Sequence, residues 1–315
     1  MANISFRKIF FPYAHEKSQI IKSVGSGFAY YTTAEVAYSI LTNRCIWMRS
    51  CSTMNDYLEV KYGEHLLHKA KESDSGKKLD QAVDACYEGL FAKAWNSFEQ
   101  EELPKLVNNT YLTCVTEHSK DEDDIGRLSM WRAYGGKTGI ALVVFKKDIF
   151  EKNTSDFGIY ASQVAYLSVD QFCKEMEKVA EKIQEYSDYI KGNLSEHCVE
   201  EYLLEIFTNA VICTKHPGFS EEKEWRIIHS LGHKQSQFIE KEIKNIKGVP
   251  QIIYKIPFYK NITGLALTDL IDRVIIGPCE FPDVTYQAIC SVLSEAGMTS
   301  PEEIIKKSEI PLRQS

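Results

Sequence analysis

Residues 215–228 read KHPGFSEEKEWRII, a helix break followed by a strand pattern. The Pro-Gly pair ends any preceding helix, because proline lacks an N–H group and glycine adopts positive φ angles freely. The aromatic and β-branched residues at the end of the stretch are typical of a strand. Side chains alternate along a strand, so a strand that starts at Glu222 places Glu222, Glu224 and Arg226 on one face.

Two interpretations of this charged face are open. Two carboxylates and a guanidinium on one face of a mid-chain strand indicate a catalytic site, since stability alone does not call for such a group. Alternatively, the charges line the solvent-exposed face of an edge strand, where Glu224 and Arg226 form a surface ion pair of small energetic value. Under the second interpretation the stretch has a structural role only.

The composition is that of a globular protein with a substantial core. The chain has 315 residues, of which 44% are apolar and 26% are charged. A chain of this length has room for one large domain or two smaller ones. The formal net charge is −7, which disfavours a protein whose whole surface binds nucleic acid but allows a local basic groove.

Targeting and cysteine patterns predict a cytoplasmic protein without a membrane segment. No apolar run reaches the length that a bilayer requires, and the N-terminus lacks the apolar core of a signal peptide. The nine cysteines stand singly and form no C-x-x-C pair, which predicts a reducing compartment and no structural zinc. We expect no bound metal, and the sequence leaves the oligomeric state open.

The order of predicted elements indicates an α+β fold with a central mixed or antiparallel sheet. An aromatic-rich arm is expected at residues 1–28, and a single α+β domain at residues 29–315. Helical insertions are expected near residues 60–108 and 168–213. Strands are predicted at residues 28–33, 45–49, 111–116, 140–145, 159–167, 222–228, 251–256 and 273–278.

A glycine-rich turn feeds the most apolar predicted strand, at residues 140–145. Trp131 and Tyr134 lie in this turn or in a short helix, and loops that deliver the chain into a central strand commonly contact ligands. The alternative is that Trp131 fills the core at the end of the sheet. A similar choice applies to Asp56 and Glu59, which form either a helix-capping pattern or a functional pair.

Three stretches of the chain carry a family resemblance, and two C-terminal stretches agree with it. The three are Tyr31 with the helix that leads to Asn55-Asp56 and Glu59, Trp131-x-x-Tyr134-Gly135 with Gly139 before an apolar strand, and Glu222-Lys223-Glu224-Trp225-Arg226. The C-terminal stretches are Ile276-Gly277-Pro278 and Ile310-Pro311-Leu312-Arg313. Together they resemble the bacterial domain-of-unknown-function family 2971, from about residue 28 to the end of the chain. This resemblance implies an architecture more than an activity.

The order of parts also resembles that of ADP-ribosyltransferases. These enzymes begin with a strand that carries an aromatic or polar residue beside threonine, place an aromatic residue in the nicotinamide pocket and carry Glu-x-Glu at the start of a later strand. The corresponding residues here are Tyr31-Thr32, then Tyr134 or Trp131, then Glu222-x-Glu224. The first motif lacks the family's His or Arg, and no Ser-Thr-Ser follows the middle strand. The resemblance implies a sheet of the split kind.

This second resemblance implies that NAD is the substrate and that its ADP-ribose group is transferred to an unknown acceptor. A nucleic acid is expected to bind only if it is that acceptor. Glu224 would stabilise the oxocarbenium-like ribose, and Glu222 would orient or deprotonate the acceptor. Tyr134 or Trp131 would stack on the nicotinamide ring. Such an enzyme would be a toxin or a phage-defence effector.

The remaining NAD contacts that the resemblance implies come from the first strand and from arginines. Tyr31 and Thr32 would line the NAD site. Arg49 or Arg226 would bind the pyrophosphate, because a guanidinium matches phosphate oxygens. If Arg226 instead pairs with Glu224, Arg49 is the better candidate.

Two other function classes are compatible with the sequence. Glu221-x-Lys223 matches the end of a metal-dependent nuclease motif, in which Glu221, Lys223 and an upstream aspartate hold Mg²⁺ and activate water. That aspartate is missing around Pro217-Gly218, and the acidic net charge does not suit a nucleic-acid substrate. The third class is a non-catalytic protein-binding module, with the aromatic arm and the apolar C-terminal helix as interaction surfaces.

Overall fold

The computed structural model describes residues 4–24, 27–53, 57–144, 158–231, 236–259 and 266–311. The chain divides into two compact units, each built from three separate segments. Unit 1 comprises Met1–Ser23, Ser50–Thr110 and Ser162–Ser220, and unit 2 comprises Val24–Arg49, Tyr111–Ala161 and Glu221–Ser315. Asn55, Asp56, Leu312 and Arg313, which contribute to the family resemblance and to the predicted helix cap, lie outside the described residues.

The helices and strands are numbered in chain order. The helices are α1 (Phe6–Phe10), α2 (Pro12–Val24), α3 (Ala34–Asn43), α4 (Tyr57–Glu72), α5 (Asp74–Asp84), α6 (Leu90–Ser97), α7 (Leu103–Asn109), α8 (Leu128–Tyr134), α9 (Val169–Glu185), α10 (Ser187–Asn193), α11 (Glu196–Ile212), α12 (Leu267–Leu270), α13 (Pro282–Glu295) and α14 (Pro301–Ile304). The strands are β1 (Gly27–Thr33), β2 (Cys45–Ser50), β3 (Thr110–His118), β4 (Gly139–Val144), β5 (Ile159–Gln163), β6 (Ala165–Tyr166), β7 (Thr214–Lys215), β8 (Glu224–Ser230), β9 (Glu240–Ile246), β10 (Val249–Pro257), β11 (Arg273–Ile276) and β12 (Ile305–Lys307). Short 3-10 helices cover Cys51–Thr53, Lys120–Glu122 and Pro217–Glu222, and a π-helical turn covers Phe98–Glu102.

Unit 1 is mainly helical, and two of its long helices start at serine caps. Ser168 caps α9 and forms a capping box with Gln171, while Ser195 caps α11 by accepting a hydrogen bond from a backbone N–H group. The Phe207 ring of α11 packs against the Trp95 ring of α6 with 5.3 Å between centroids. Local capping thus fixes where α9 and α11 begin, and aromatic packing joins α11 to α6.

The helical insertions predicted near residues 60–108 and 168–213 correspond to α4–α7 and α9–α11, all in unit 1. In the same unit, β6 and β7 form a two-stranded parallel sheet, and α9–α11 connect the two strands.

Across the described ranges, no helix combines the length and apolar character needed to cross a membrane. The arm at residues 1–28 and the single domain at residues 29–315 stay predictions.

Within the described residues, a ten-stranded sheet organises unit 2. Its strands follow the order β12-β11-β4-β1-β3-β2-β10-β9, and β8 pairs with both β3 and β5. β1 is antiparallel to β3 and β4, β11 to β4, and β10 to β2 and β9, whereas β11 and β12 are parallel. The sheet is mixed and mostly antiparallel, which confirms the predicted α+β class. The split sheet that the resemblance to ADP-ribosyltransferases implies stays a prediction.

The two faces of this sheet carry separate apolar clusters. The first cluster joins β4 and β11 to α3 and α13, and its members include Ile140, Leu142, Val274, Ile276, Leu41 and Leu293. The second cluster joins the same strands to α8, and its buried members are Ala29, Tyr31, Met130, Trp131, Ala141, Val143 and Ile275. Tyr30 packs against the first cluster, because side chains alternate along β1. The two sides are named the Tyr30 face and the Tyr31 face.

The predicted strand start at Glu222 is wrong. β8 begins at Glu224, because a 3-10 helix ends at Glu222 and Lys223 then takes a φ of 44°, in the left-handed region. Strand alternation therefore does not extend to Glu222. The alternative of a solvent-exposed edge strand is also wrong, because β8 pairs with two strands and Glu224 and Arg226 are each 5% exposed.

Candidate functional site

Glu222 and Tyr134 form the centre of the candidate site in unit 2. The Tyr134 hydroxyl donates a hydrogen bond to Oε1 of Glu222 over 3.2 Å. Glu222 ends the 3-10 helix before β8, Tyr134 ends α8, and both residues are half-buried. A carboxylate and a phenol ring are therefore presented side by side at the ends of two elements.

The backbone at Glu222 is fixed by two side chains from other parts of unit 2. The Thr116 hydroxyl donates a hydrogen bond to the Glu222 carbonyl oxygen. Nη1 of Arg127 donates to the carbonyl oxygens of Glu221 and Glu222, over 3.0 and 3.3 Å, and to the Thr116 hydroxyl over 2.8 Å. Because backbone carbonyls shielded from water need partners, these bonds set the position from which the Glu222 side chain projects.

Arg127 is a site residue that was not predicted from the sequence. Its Nε and Nη2 donate to the two carboxylate oxygens of Glu122, over 2.7 and 3.0 Å, and Nη2 also donates to the Glu117 carbonyl oxygen over 2.7 Å. A planar guanidinium suits this two-pronged contact. The available signal was the place of Arg127 in the chain, between the acidic loop at residues 117–124 and α8.

His118 connects the same loop to the sheet. Its ring is fully buried, with Nε2 3.0 Å from Oδ1 of Asp123 and Nδ1 3.7 Å from Oε2 of Glu122. Asp123 in turn lies 3.4 Å from Nη2 of Arg273 on β11. These contacts hold the acidic loop in place, so that Glu122 meets the Arg127 guanidinium.

Glu224 and Arg226, predicted as a catalytic and a pyrophosphate-binding residue, form a buried ion pair. Nε of Arg226 donates to Oε1 of Glu224 over 2.8 Å, which confirms the alternative that these two residues pair. Trp225 points to the opposite side of β8, where Nε1 donates to Oε1 of Glu117 and the indole packs on Phe28. Glu222 is half-buried and Glu224 is buried, so Glu222 is the more accessible of the two carboxylates.

Tyr31 and Trp131 are core residues of the Tyr31 face. The Tyr31 hydroxyl accepts a hydrogen bond from the backbone N–H of Arg127 over 2.8 Å, and burial raises the pKa of Tyr31 to about 12. The Trp131 indole is 3% exposed, and its Nε1 donates to the Ile125 carbonyl oxygen over 2.9 Å. The two rings meet edge to face with 4.7 Å between centroids.

Three glycines enclose the Trp131 indole. A Cβ atom added at Gly126, Gly139 or Gly277 would lie 2.5, 2.9 or 2.8 Å from the indole ring, closer than side chains normally approach. This packing matches the alternative prediction that Trp131 fills the core at the end of the sheet. We therefore assign Trp131 to the core and Tyr134 to the candidate site.

Thr32 projects from the Tyr30 face of β1, on the opposite side from Tyr31. Arg49 follows Met48, a member of the first cluster, on β2, so its side chain projects from the opposite side of the sheet to that cluster. Nη2 of Arg49 donates to Oε1 of Gln251 over 3.0 Å, and burial lowers the pKa of the Arg49 guanidinium. Because neighbours on a strand face opposite ways, one pocket on this sheet does not contain all the residues predicted to bind NAD.

The residues of the alternative nuclease motif are both at the surface. Glu221 and Lys223 are exposed. Within the part of the chain that the structure describes, no three histidine, cysteine or acidic side chains are grouped so as to hold a metal ion. The described residues therefore provide no metal centre for the nuclease alternative.

Comparison with known proteins supports the family resemblance. Residues 130–227 match the family model described as Protein of unknown function (DUF2971), which confirms the predicted resemblance over that stretch. The matched residues include Tyr134, Glu222 and Glu224. No curated protein and no solved structure matches the chain significantly.

Proposed function

We propose that this protein is an NAD-consuming enzyme of the ADP-ribosyltransferase type, with Glu222 as its catalytic carboxylate and Tyr134 as its ring-binding residue. The observation that carries the proposal is the 3.2 Å hydrogen bond between the Tyr134 hydroxyl and the Glu222 carboxylate, just before β8. An aromatic ring can stack on nicotinamide, and a carboxylate beside it can stabilise the positive charge that develops on the ribose.

Glu222 takes the role that the sequence suggested for Glu224. The Glu224 carboxylate is bonded to Arg226 in the interior of unit 2, where removing it from its partner would be energetically expensive. Glu222 is half-buried and hydrogen-bonded to the Tyr134 hydroxyl. Its carboxylate is therefore better placed to meet a substrate.

The reaction starts when the bond between the nicotinamide nitrogen and C1′ of the ribose breaks, and the electron pair leaves with nicotinamide. The ribose then carries a positive charge, which the Glu222 carboxylate stabilises. A hydroxyl group of the acceptor, or water, bonds to C1′ and gives its proton to Glu222. Arg127 is a positioning residue, since it acts through its hydrogen bond to the Glu222 backbone.

The proposed activity would take place in the cytoplasm. Among the described residues the cysteines form no disulfide, which fits a reducing cytoplasm. An enzyme that consumes NAD inside a cell fits a toxin or a phage-defence effector. The acceptor is a protein, a nucleic acid or water, and each is detectable as a carrier of ADP-ribose or as free ADP-ribose.

The test is NAD consumption by the purified protein in the presence of cell lysate, with and without a chelator. We expect the wild type to consume NAD whether or not chelator is present. Glu222→Gln keeps the size of the side chain but removes its charge, so turnover should fall by about 100-fold or more. Tyr134→Phe keeps the ring but removes the hydroxyl, so turnover should fall by about tenfold.

Glu221→Gln is the matched control, because it makes the same charge change at the neighbouring exposed residue. Its turnover should equal that of the wild type. The proposal is contradicted if the wild type consumes no NAD, or if Glu222→Gln consumes it as fast as Glu221→Gln. An activity that the chelator abolishes would also contradict it, since the proposed chemistry needs no metal.

A further inference from the structure

We propose that two copies of this chain form a two-fold dimer by pairing their β9 strands antiparallel, with Ile243 of one copy opposite Ile243 of the second copy. The proposal concerns unit 2 alone and does not depend on the proposed enzymatic activity. It rests on three properties of β9: its position in the sheet, its order of charges and its exposed apolar side chains.

β9 is the last strand on one side of the described sheet. Its inner edge pairs with β10, and Ile243 lies opposite Ile252 in that ladder. A terminal strand presents a row of backbone N–H and C=O groups that can pair with another strand. β9 has seven residues, long enough to form a ladder with a second strand.

The sequence of β9 is self-complementary in charge. It reads Glu-Lys-Glu-Ile-Lys-Asn-Ile from Glu240 to Ile246. In an antiparallel pair centred on Ile243, Glu242 lies opposite Lys244 of the second copy, and two-fold symmetry repeats this pair. Lys241 lies opposite an asparagine, so no two like charges face each other. Opposite charges across a strand pair are stabilising, whereas like charges are destabilising.

The apolar side chains of this edge are exposed in the single chain. Ile243 is 69% exposed, and Ile252, its neighbour across the β9–β10 ladder, is 36% exposed. Val249, on the other face of the same hairpin, is 55% exposed. A β-branched residue at the centre of a terminal strand gains stability when a second strand covers it. Pairing of two β9 strands would bring the two Ile243 side chains together.

The charges of β9 can be rearranged at little cost. Glu242 forms ion pairs with Lys244 and Lys255 of the same chain. The side chains of Glu242 and Lys244 are 32% and 39% exposed, and exposed ion pairs contribute little to stability. Exchanging a contact within one chain for a contact between two chains therefore carries a small penalty, and a second strand adds backbone hydrogen bonds.

The test is sedimentation of the full chain over a wide range of concentrations, for the wild type and two charge variants. We expect the wild type to associate to a dimer. Glu242→Lys places lysine opposite lysine in a homodimer, and Lys244→Glu places glutamate opposite glutamate. Each variant alone should therefore have a dimer dissociation constant raised by about tenfold or more.

Mixing the two charge variants is the decisive experiment. In a mixed pair, the lysine introduced into one copy lies opposite the glutamate introduced into the other, and the unchanged Lys244 and Glu242 also face each other. Both cross-strand pairs are then opposite in charge again. Glu242→Lys and Lys244→Glu together should therefore dimerise like the wild type, which a folding defect in either variant would not produce. Lys241→Glu is the matched control, since it changes the charge of β9 opposite an asparagine and should keep the dimer.

Three results would overturn the proposal. The first is a wild type that stays monomeric over the whole concentration range. The second is a dimer whose dissociation constant is unchanged in both charge variants, which would place the interface elsewhere. The third is a mixture of the two variants that associates no better than either variant alone.

Discussion

At the scale of single residues, Trp131 shows how glycines make room for a large side chain. Gly126 precedes α8, Gly139 begins β4 and Gly277 follows β11, and each lies against the indole. Close packing of this kind leaves no space for an added methyl group. The glycine-rich turn that the sequence presents as a ligand loop thus serves, in part, to seat a core tryptophan.

We predict that Gly277→Ala lowers the free energy of unfolding by about 1–3 kcal/mol, because the added Cβ would lie 2.8 Å from the Trp131 ring. Gly192→Ala in α10 is the control. Nothing lies within 4 Å of its added Cβ, and alanine is favoured over glycine in a helix by up to about 1 kcal/mol. Urea unfolding of both variants measures the difference. Equal stability of Gly277→Ala and the wild type would mean that the indole shifts freely.

Lys223 explains why the strand start could not be predicted. A residue other than glycine rarely adopts a positive φ, and a lysine gives no local signal that it will. When the alternation of side chains is extended from β8 toward the N-terminus, it includes Glu222, although the strand begins at Glu224. The strand itself could be predicted, because the aromatic and β-branched residues at positions 225–228 favour a strand whatever their neighbours are.

At the scale of elements, the ion pair between Glu224 and Arg226 on β8 is buried. Glu224 and Arg226 are two residues apart, so their shared face could be predicted from the sequence. Their burial could not, because it depends on β3 and β5, which lie far away along the chain. A charged pattern on a strand does not by itself distinguish a surface pair from a buried one.

We predict that Glu224→Ala lowers the free energy of unfolding by about 3 kcal/mol or more, because it removes one partner of a buried ion pair. Arg226→Ala should have a similar effect. The double variant Glu224→Leu/Arg226→Met should lose less than the sum of the two, since apolar side chains can replace a buried pair. Guanidinium unfolding measures all three variants.

The control for this prediction is Glu221→Ala, which removes a carboxylate from an exposed residue of the same stretch. Its stability should stay within about 0.5 kcal/mol of the wild type. If Glu224→Ala were as stable as this control, the ion pair would have no net effect on folding, and Glu224 would again be available for a role at the site.

At the scale of the whole molecule, the chain passes between the two units several times. Each unit consists of three segments, and the segments of one unit alternate with those of the other. The family match at residues 130–227 therefore includes parts of both units. Neither unit corresponds to a continuous stretch of sequence.

We predict that neither half of the chain folds alone. A fragment of residues 1–161 lacks the last segment of each unit, and a fragment of residues 162–315 contains only those last segments. Each fragment should therefore lack a cooperative thermal transition, which circular dichroism can measure, while the intact chain shows one. A cooperative transition in either fragment would contradict the prediction.

The α+β class could be predicted because strand and helix patterns are local. At the centre of the candidate site, the individual residues could be predicted from the sequence, but the contact between them could not. Tyr134 and Glu222 are 88 positions apart, and their contact is created by the fold. The same holds for Arg127, whose bonds to Glu221 and Glu222 join distant parts of the chain. Contacts between remote segments leave no periodic signal in one sequence.

The small parallel sheet of unit 1 has a consequence for how such a chain can change over time. Ala165 lies opposite Thr214, and Tyr166 lies opposite Lys215, so the helices α9–α11 depart from and return to adjacent positions. A segment with adjacent ends can be lengthened, shortened or exchanged without rerouting the chain on either side. Because α9 and α11 bury side chains such as Ile183 and Phe207, we expect such changes in the connections between the helices and not in the helices themselves.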